Sequence, residues 1–336
     1  MLNVIDIVPD GLLECEAHDL HRVLDGPTLL HLTGHRQQPL FISVLLHGNE
    51  DTGWQAVREL LGHTGGAELP RSLSVFIGNV AAAKDNLRFL EGQPDYNRIW
   101  EDIPGNEQLP EREMMRQVVA QMQERDVFAS VDVHNNTGFN PHYACVRSLD
   151  NHHLHLATLF SRTVVYFRTP TGVQTAPFAN LCPAITIEAG RPGQQHGLEH
   201  TREFLGACLQ LSQVPDKPVH LQDIDLFHTV AVCKIPSDIS FGFDDDTRDI
   251  NFIGDLDHFN FRELPAGTTL ARVTNKGELS LDVRDEDGVE VARKYFEVAD
   301  GELRTTTSFM PSMLTVNETA IRQDCLCYLM ERHPGV

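Results

Sequence analysis

The sequence predicts an α/β fold over residues 1–215 and a smaller β-rich unit over residues 216–336. Three observations carry this. Apolar, β-branched runs alternate with stretches of helical periodicity through the first two-thirds of the chain, which implies a sheet with helices on both faces. The pattern breaks at Pro215-Asp216-Lys217-Pro218. Beyond it come short strand-like runs separated by turn residues, as in a small antiparallel unit.

Taken in order, strands are expected at residues 28–32 and 40–46, both apolar and of strand length. A helix is expected over 52–62, with Asn49 or Asp51 as its cap. A strand at 73–78 follows. The next helix, 111–125, has Met114, Met115, Val118, Val119 and Met122 at three- and four-residue spacing, with Pro110 at its start. Strand 128–134, helix 152–161, strands 163–167 and 184–189, and helix 198–211 complete the alternation. In the second unit, strands are expected at 219–221, 228–235, 268–273 and 278–283. Pro265-Ala266-Gly267, Asn275-Lys276-Gly277 and Asp285-Glu286-Asp287-Gly288 supply the turns.

Composition excludes several classes of function. The chain has 27 basic and 48 acidic residues, a net charge of −21, and such a surface repels nucleic acid. A small anionic substrate stays compatible, because a few arginines reverse the field inside a cleft. No apolar run approaches the ~20 residues that span a bilayer, so no membrane partner is expected. The first residues show no basic segment followed by an apolar one, so no leader is expected. Seven scattered cysteines read as reduced thiols in a cytoplasmic protein. A homo-oligomer is left open.

The chemistry concentrates at the ends of two expected strands. His47 and Glu50 stand three residues apart in Leu45-Leu46-His47-Gly48-Asn49-Glu50-Asp51. His134 closes Ser130-Val131-Asp132-Val133-His134. Two imidazoles and a carboxylate form the three-ligand set of a catalytic zinc site with one open position. Ligands in open α/β sheets collect beyond the carboxyl ends of strands, where these residues fall. Such a site also accepts Co²⁺, Mn²⁺ or Ni²⁺. Asp132 reads equally as an orienting partner for an imidazole or as a solvent-facing strand residue.

Other features read as ordinary. The Asp244-Asp245-Asp246 run lacks calcium-loop spacing and is expected to be a solvated turn. Gly65-Gly66 lacks a P-loop lysine. The His152-His153-Leu154-His155 run is expected on a polar helix surface. His196 and His200 are expected in structural or substrate-proximal roles, and Tyr143 at the pocket.

The ordered motifs His47-Gly48-Asn49-Glu50, Asp95-Tyr96-Asn97-Arg98, Asp132-Val133-His134-Asn135 and Ile187-Glu188-Ala189-Gly190 resemble those of the succinylglutamate desuccinylase/aspartoacylase family, within the wider zinc carboxypeptidase group. Val316-Asn317-Glu318-Thr319-Ala320 resembles a late segment of aspartoacylases. The resemblance implies a three-layer α/β/α, zinc-carboxypeptidase-like domain with a mixed sheet. It implies one zinc ion on His47, Glu50 and His134, with Glu188 as general base. Arg88 would polarise the scissile carbonyl, and Asn97 with Arg98 would hold a substrate carboxylate. Three positions depart from aspartoacylases: Phe178, Gln174 and Ile321 replace an Arg and two Tyr that serve substrate specificity there. Arg168 or Arg191 is left as a substitute anion contact.

The expected function is hydrolysis of the amide of a small N-acyl amino acid or related carboxylate. The alternatives are a metallocarboxypeptidase on peptides, an esterase on a small carboxylate, and an inactive zinc-binding module.

Overall fold

The computed structural model describes residues 1–65, 67–244, 247–274 and 281–334. Gly66, Asp245, Asp246, the expected turn at 275–277 and the start of the expected strand at 278–283 lie outside these. The strands are β1 (Asn3–Ile5), β2 (Thr28–Leu32), β3 (Gly34–Val44), β4 (Leu69–Ile77), β5 (Ala129–His134), β6 (Tyr143–Val146), β7 (Thr163–Tyr166), β8 (Ala184–Glu188) and β9 (Asp225–Lys234). They continue as β10 (Phe241–Phe243), β11 (Ile250–Phe252), β12 (Thr269–Val273), β13 (Asp282–Asp285), β14 (Phe296–Ala299), β15 (Glu302–Thr305), β16 (Met310–Ser312) and β17 (Cys327–Arg332). The helices are α1 (Thr52–Thr64), α2 (Val80–Lys84), α3 (Pro110–Glu124), α4 (Asn151–Phe160), α5 (Thr175–Phe178), α6 (Gln195–Gln210), α7 (Ala292–Tyr295) and α8 (Glu318–Gln323).

The large sheet has the order β1-β2-β4-β3-β5-β8-β6-β7-β9-β17-β16, with β13 added to β9. Its centre, β4-β3-β5-β8, is parallel, while β2 runs antiparallel to β4 and β6 antiparallel to β8, so the sheet is mixed. Strand β3 shows why there are three layers. Side chains alternate across a strand. Leu40, Ile42 and Val44 join Trp54 and Val57 of α1 and Leu205 of α6 in one core. Phe41, between them, joins Met115 and Val118 of α3 and Phe178 of α5 in another. Each such side chain, fully buried, contributes about 1.5–3 kcal/mol.

Several sequence expectations need correction. The large sheet does not stop at residue 215, because β9 pairs in parallel with β7 and carries β17 on its other edge. Residues 219–221 form no strand. Val219 is buried in the core beside Ile224 and Leu226, so its apolar character serves packing rather than pairing. The second sheet, β10-β11-β12-β15-β14, includes one parallel pair, β10 with β11. Its own apolar core holds Phe241, Phe252, Leu303 and Ile321.

Candidate metal centre and active site

Strand β3 ends at Val44, and Leu45 turns the chain through a left-handed conformation at φ 55°. That turn brings the Leu45 carbonyl to the Asn79 N–H at 2.6 Å. Gly48 follows at a close approach. A Cβ there would lie 2.3 Å from the Ala83 nitrogen, so no side chain fits. Its N–H donates to the Arg88 carbonyl at 3.1 Å, which ties the Arg88 loop to the His47 turn. Helix α1 then begins, but neither Asn49 nor Asp51 caps it. Asn135, just past β5, accepts from the Thr52 N–H at 3.2 Å, while Asp51 accepts from Gln55.

The side chains of His47, Glu50 and His134 are all buried, and their ligand atoms lie within 4.8 Å of one another. His47 Nδ1 stands 2.7 Å from Glu50 Oε1, and His134 Nδ1 stands 2.7 Å from Glu50 Oε2. On the far side of each ring, Nε2 meets a carboxylate: Asp95 Oδ1 at 3.0 Å for His47 and Asp132 Oδ2 at 2.8 Å for His134. Both rings therefore turn Nδ1 toward the shared point and anchor Nε2 behind it, the outer arrangement that orients metal-binding imidazoles. Asp132 is fully buried and accepts from Ser43 Oγ at 2.7 Å, so the solvent-facing reading of this residue is overturned. The donor set, its burial and its anchoring fit a divalent ion.

The charges are arranged to match. Burial and the Arg88 charge lower the His47 pKa, but Glu50 and Asp95 outweigh them and raise it. Glu50 is held well below the usual carboxylate range by the two imidazoles, against the opposing effect of burial. Glu188 is different. It ends β8 directly opposite His134 in register. Burial, helped by the Glu50 charge, pushes its pKa up to about 7, against the pull of His134 and a 3.5 Å bond from Asn136 Nδ2.

His47, Glu50, His134 and Glu188 line a cavity of about 670 Å³, open mouth included, together with Arg88, Asn97 and Arg98. Arg88 donates to Asp95 Oδ2 at 3.1 Å and stands 3.8 Å from Glu50. Arg98 donates to its neighbour's carbonyl, Asn97 O, at 2.9 Å and to Asp324 Oδ1 at 2.8 Å. Asn97 Oδ1 accepts from the Gln174 N–H at 3.0 Å, while its amide nitrogen faces His134 Nε2 at 3.2 Å. Tyr143 lines the cavity, as expected.

The structure thus brings together His47, Glu50, Arg88, Asn97, Arg98, His134 and Glu188. It leaves others outside. Phe178 is fully buried and stacks on Phe41 at 4.6 Å, in the core under α3. Gln174 is buried and donates to Ser130, and Ile321 belongs to the second core. Arg168 pairs with Glu286 and Asp287, and Arg191 pairs with Asp257 and covers Phe139; neither lines the cavity. In the 152–155 run, His153 is buried against Asp150, contrary to a wholly polar surface. His196 and His200 stack on His142, away from the metal cluster. Sequence reasoning missed Asp95, Ser43 and Asp324. Asp95 lies inside a recognised motif and could have been found there. Nothing local marks Ser43 or Asp324.

Comparison with known proteins bears on the family and the fold. The family model described as the succinylglutamate desuccinylase/aspartoacylase catalytic domain matches residues 37–211. No curated protein sequence matches the chain. Among solved structures, succinylglutamate desuccinylase from Vibrio parahaemolyticus is 13% identical, covering 96% of this chain and 94% of that one at a TM-score of 0.60. The desuccinylase from Chromobacterium violaceum is 17% identical, covering 90% and 87%, at 0.56. Murine aminoacylase 3 is 16% identical, covering 90% and 97%, at 0.56. These likenesses show a shared three-layer fold. With its family match spanning more than half of its length, this chain belongs to the succinylglutamate desuccinylase/aspartoacylase family.

Proposed function

We propose that the chain is a zinc-dependent hydrolase that cleaves the amide bond of a small N-acyl amino acid or related carboxylate. The observation that carries this reading is the buried His47–Glu50–His134 cluster with Glu188 in register beside His134, inside one cavity. Family membership and the names of the similar structures, desuccinylases and an aminoacylase, support the reaction class.

His47, Glu50 and His134 hold the ion. When bound, the ion supplies Lewis acidity toward water and toward a carbonyl. Glu188 takes the proton from the attacking water and delivers it to the leaving nitrogen, a task suited to a carboxylate poised near neutrality. Arg88 faces the developing oxyanion. Arg98, with Asn97, orients the substrate carboxylate. Asp95 and Asp132 keep both imidazoles in one tautomer and orientation.

Residues 1–215 carry the chemistry in this reading, and residues 216–336 narrow the entrance. Thr229, Ser312, Met313, Asp324 and Tyr328 of the latter stretch line the cavity, which supports small substrates over peptides. The seven unpaired cysteines support a cytoplasmic setting.

The test is a panel of N-acyl amino acids on zinc-loaded protein, with a chelated control. Acyl release that disappears with chelator is expected, and Glu188→Gln is expected to lower kcat by about 10²–10⁴ with metal content unchanged. Release of C-terminal residues from peptides with no acyl release would sink the proposal.

A further inference from the structure

The wall of the cavity says which amine half it admits, given the deacylase reading above. Beyond the metal cluster its apolar lining is Tyr143, Cys145, Val165, Phe167, Val173 and Met313, with hydroxyl groups such as those of Thr169, Thr229 and Ser312 between them. Tyr143, Val165, Phe167 and Val173 are all buried. Glu188 lines this same cavity, so a substrate whose leaving nitrogen meets the proposed proton carrier shares the cavity with this wall.

Charge is the second constraint. Among the described lining residues, the cations apart from the histidines are Arg88 and Arg98. Both already have carboxylate partners from the protein. Arg98 holds Asp324 Oδ1 at 2.8 Å, and Arg88 holds Asp95 at 3.1 Å with Asp324 Oδ2 at 3.5 Å. Two guanidinium groups thus face two carboxylates, with Glu50 close by.

The backbone on either side of Asp324 is tied down. Its N–H donates to the Ala320 carbonyl at 3.1 Å, and two residues later the Leu326 N–H donates to the Cys233 carbonyl at 2.8 Å. Ile321 and Leu326, on either side, are buried in the second core. Asp324 also borders the neighbouring cavity with Asn49, Asn136 and Gln323, so its charge faces both cavities. Phe178, Arg168 and Arg191, the remaining places for a compensating cation, are apolar or engaged elsewhere.

We propose that Asp324 sets the specificity of this site, balancing the arginine pair so that the cavity accepts N-acyl amino acids with apolar side chains and rejects acidic ones. A single α-carboxylate can share the outer edge of Arg98. A second carboxylate finds no unpaired cation, faces Asp324, and meets an apolar wall. Burying an unpartnered charge is what the site then penalises.

The experiment compares N-acetyl-leucine and N-acetyl-phenylalanine with N-acetyl-aspartate and N-acetyl-glutamate on zinc-loaded native protein and on Asp324→Asn. The native kcat/KM is expected to favour the apolar pair by about 10²-fold or more, the scale of an unpaired buried charge. Asp324→Asn is expected to narrow that ratio by about tenfold or more, mainly through a lower KM for the acidic pair. Native preference for acidic substrates, or an unchanged ratio in a folded variant, overturns the inference. The native comparison stands even where the variant fails to fold. Calorimetric affinities of the same four ligands for zinc-loaded Glu188→Gln separate this inference from the deacylase reading. Tighter binding of the apolar pair without turnover by native protein supports the cavity assignment and removes the reaction. Equal binding, tighter acidic binding, or no binding overturns the assignment.

Discussion

The metal side of the cavity and its opposite wall are built on different plans. On the side of the His47–Glu50–His134 cluster, each candidate ligand has a second partner: Asp95 behind His47, Asp132 behind His134 with Ser43 behind it in turn, and the Asn135 N–H donating to Glu50 at 3.0 Å. The ligands stand at or just past the ends of adjacent parallel strands, β3 and β5, with Glu188 on the next strand, β8. The opposite wall comes from β6, β7, the loop before α5, and the residues around β16 and α8. Its lining is mainly apolar with scattered hydroxyl groups, and its charged member is Asp324, held by Arg88 and Arg98. The difference teaches that the proposed reaction would draw its precise orientation from strand ends and paired carboxylates, whereas the proposed selection among substrates would draw on shape and charge balance.

That contrast can be broken at its strongest point first. His134→Ala removes a candidate ligand and leaves buried Asp132 with Ser43 but without its imidazole partner. We expect zinc stoichiometry and acyl release both to fall to background, read by metal analysis and product assay. Full metal content in this variant would mean the ion is held elsewhere.

Phe178→Ala probes whether the position departing from aspartoacylases belongs to the wall or to the core. The ring is fully buried and stacked on Phe41. We expect a loss of about 3–5 kcal/mol in unfolding free energy, with KM at permissive temperature little changed. A large KM effect at unchanged melting temperature would move Phe178 to the substrate side.

The smallest effect is a pH dependence. The Glu188 pKa is raised to about 7 by burial and the Glu50 charge, and the base acts in its ionised form. Activity therefore rises with pH as Glu188 loses its proton, and kcat/KM falls about tenfold per unit below the pKa. The positive charge of a bound ion acts downward, so the acid limb should lie at or below about 7. A profile with no acid limb anywhere between about pH 4, the ordinary carboxylate range, and pH 8 would remove Glu188 from the base role.

How much of this was legible beforehand depends on the residue. The turn after β3 was readable because His47 and Glu50 follow an unbroken apolar run. His134 was readable for the same reason at the end of β5. Helix α3 was predicted within a residue at each end, because Pro110 and the methionine stripe mark it. Strand β6 was not predicted. Four residues give too short a pattern to stand out, yet Tyr143 and Cys145 on it form part of the wall. The cap of α1 was assigned to its own turn, whereas the structure draws it from Asn135, 83 residues away.

The sequence by itself determined the alternation of strands and helices and marked the candidate ligands His47, Glu50 and His134 at strand ends, with Glu188 as the candidate carboxylate base. These are written in local periodicity and in short motifs, which need only neighbouring residues to be recognised. Only the tertiary structure decided that Asp324 lies against Arg98, 226 residues away, and that Phe178 points into a core. Burial and ion pairing between distant segments depend on how layers stack, and no local pattern records which carboxylate will meet which guanidinium once the layers close.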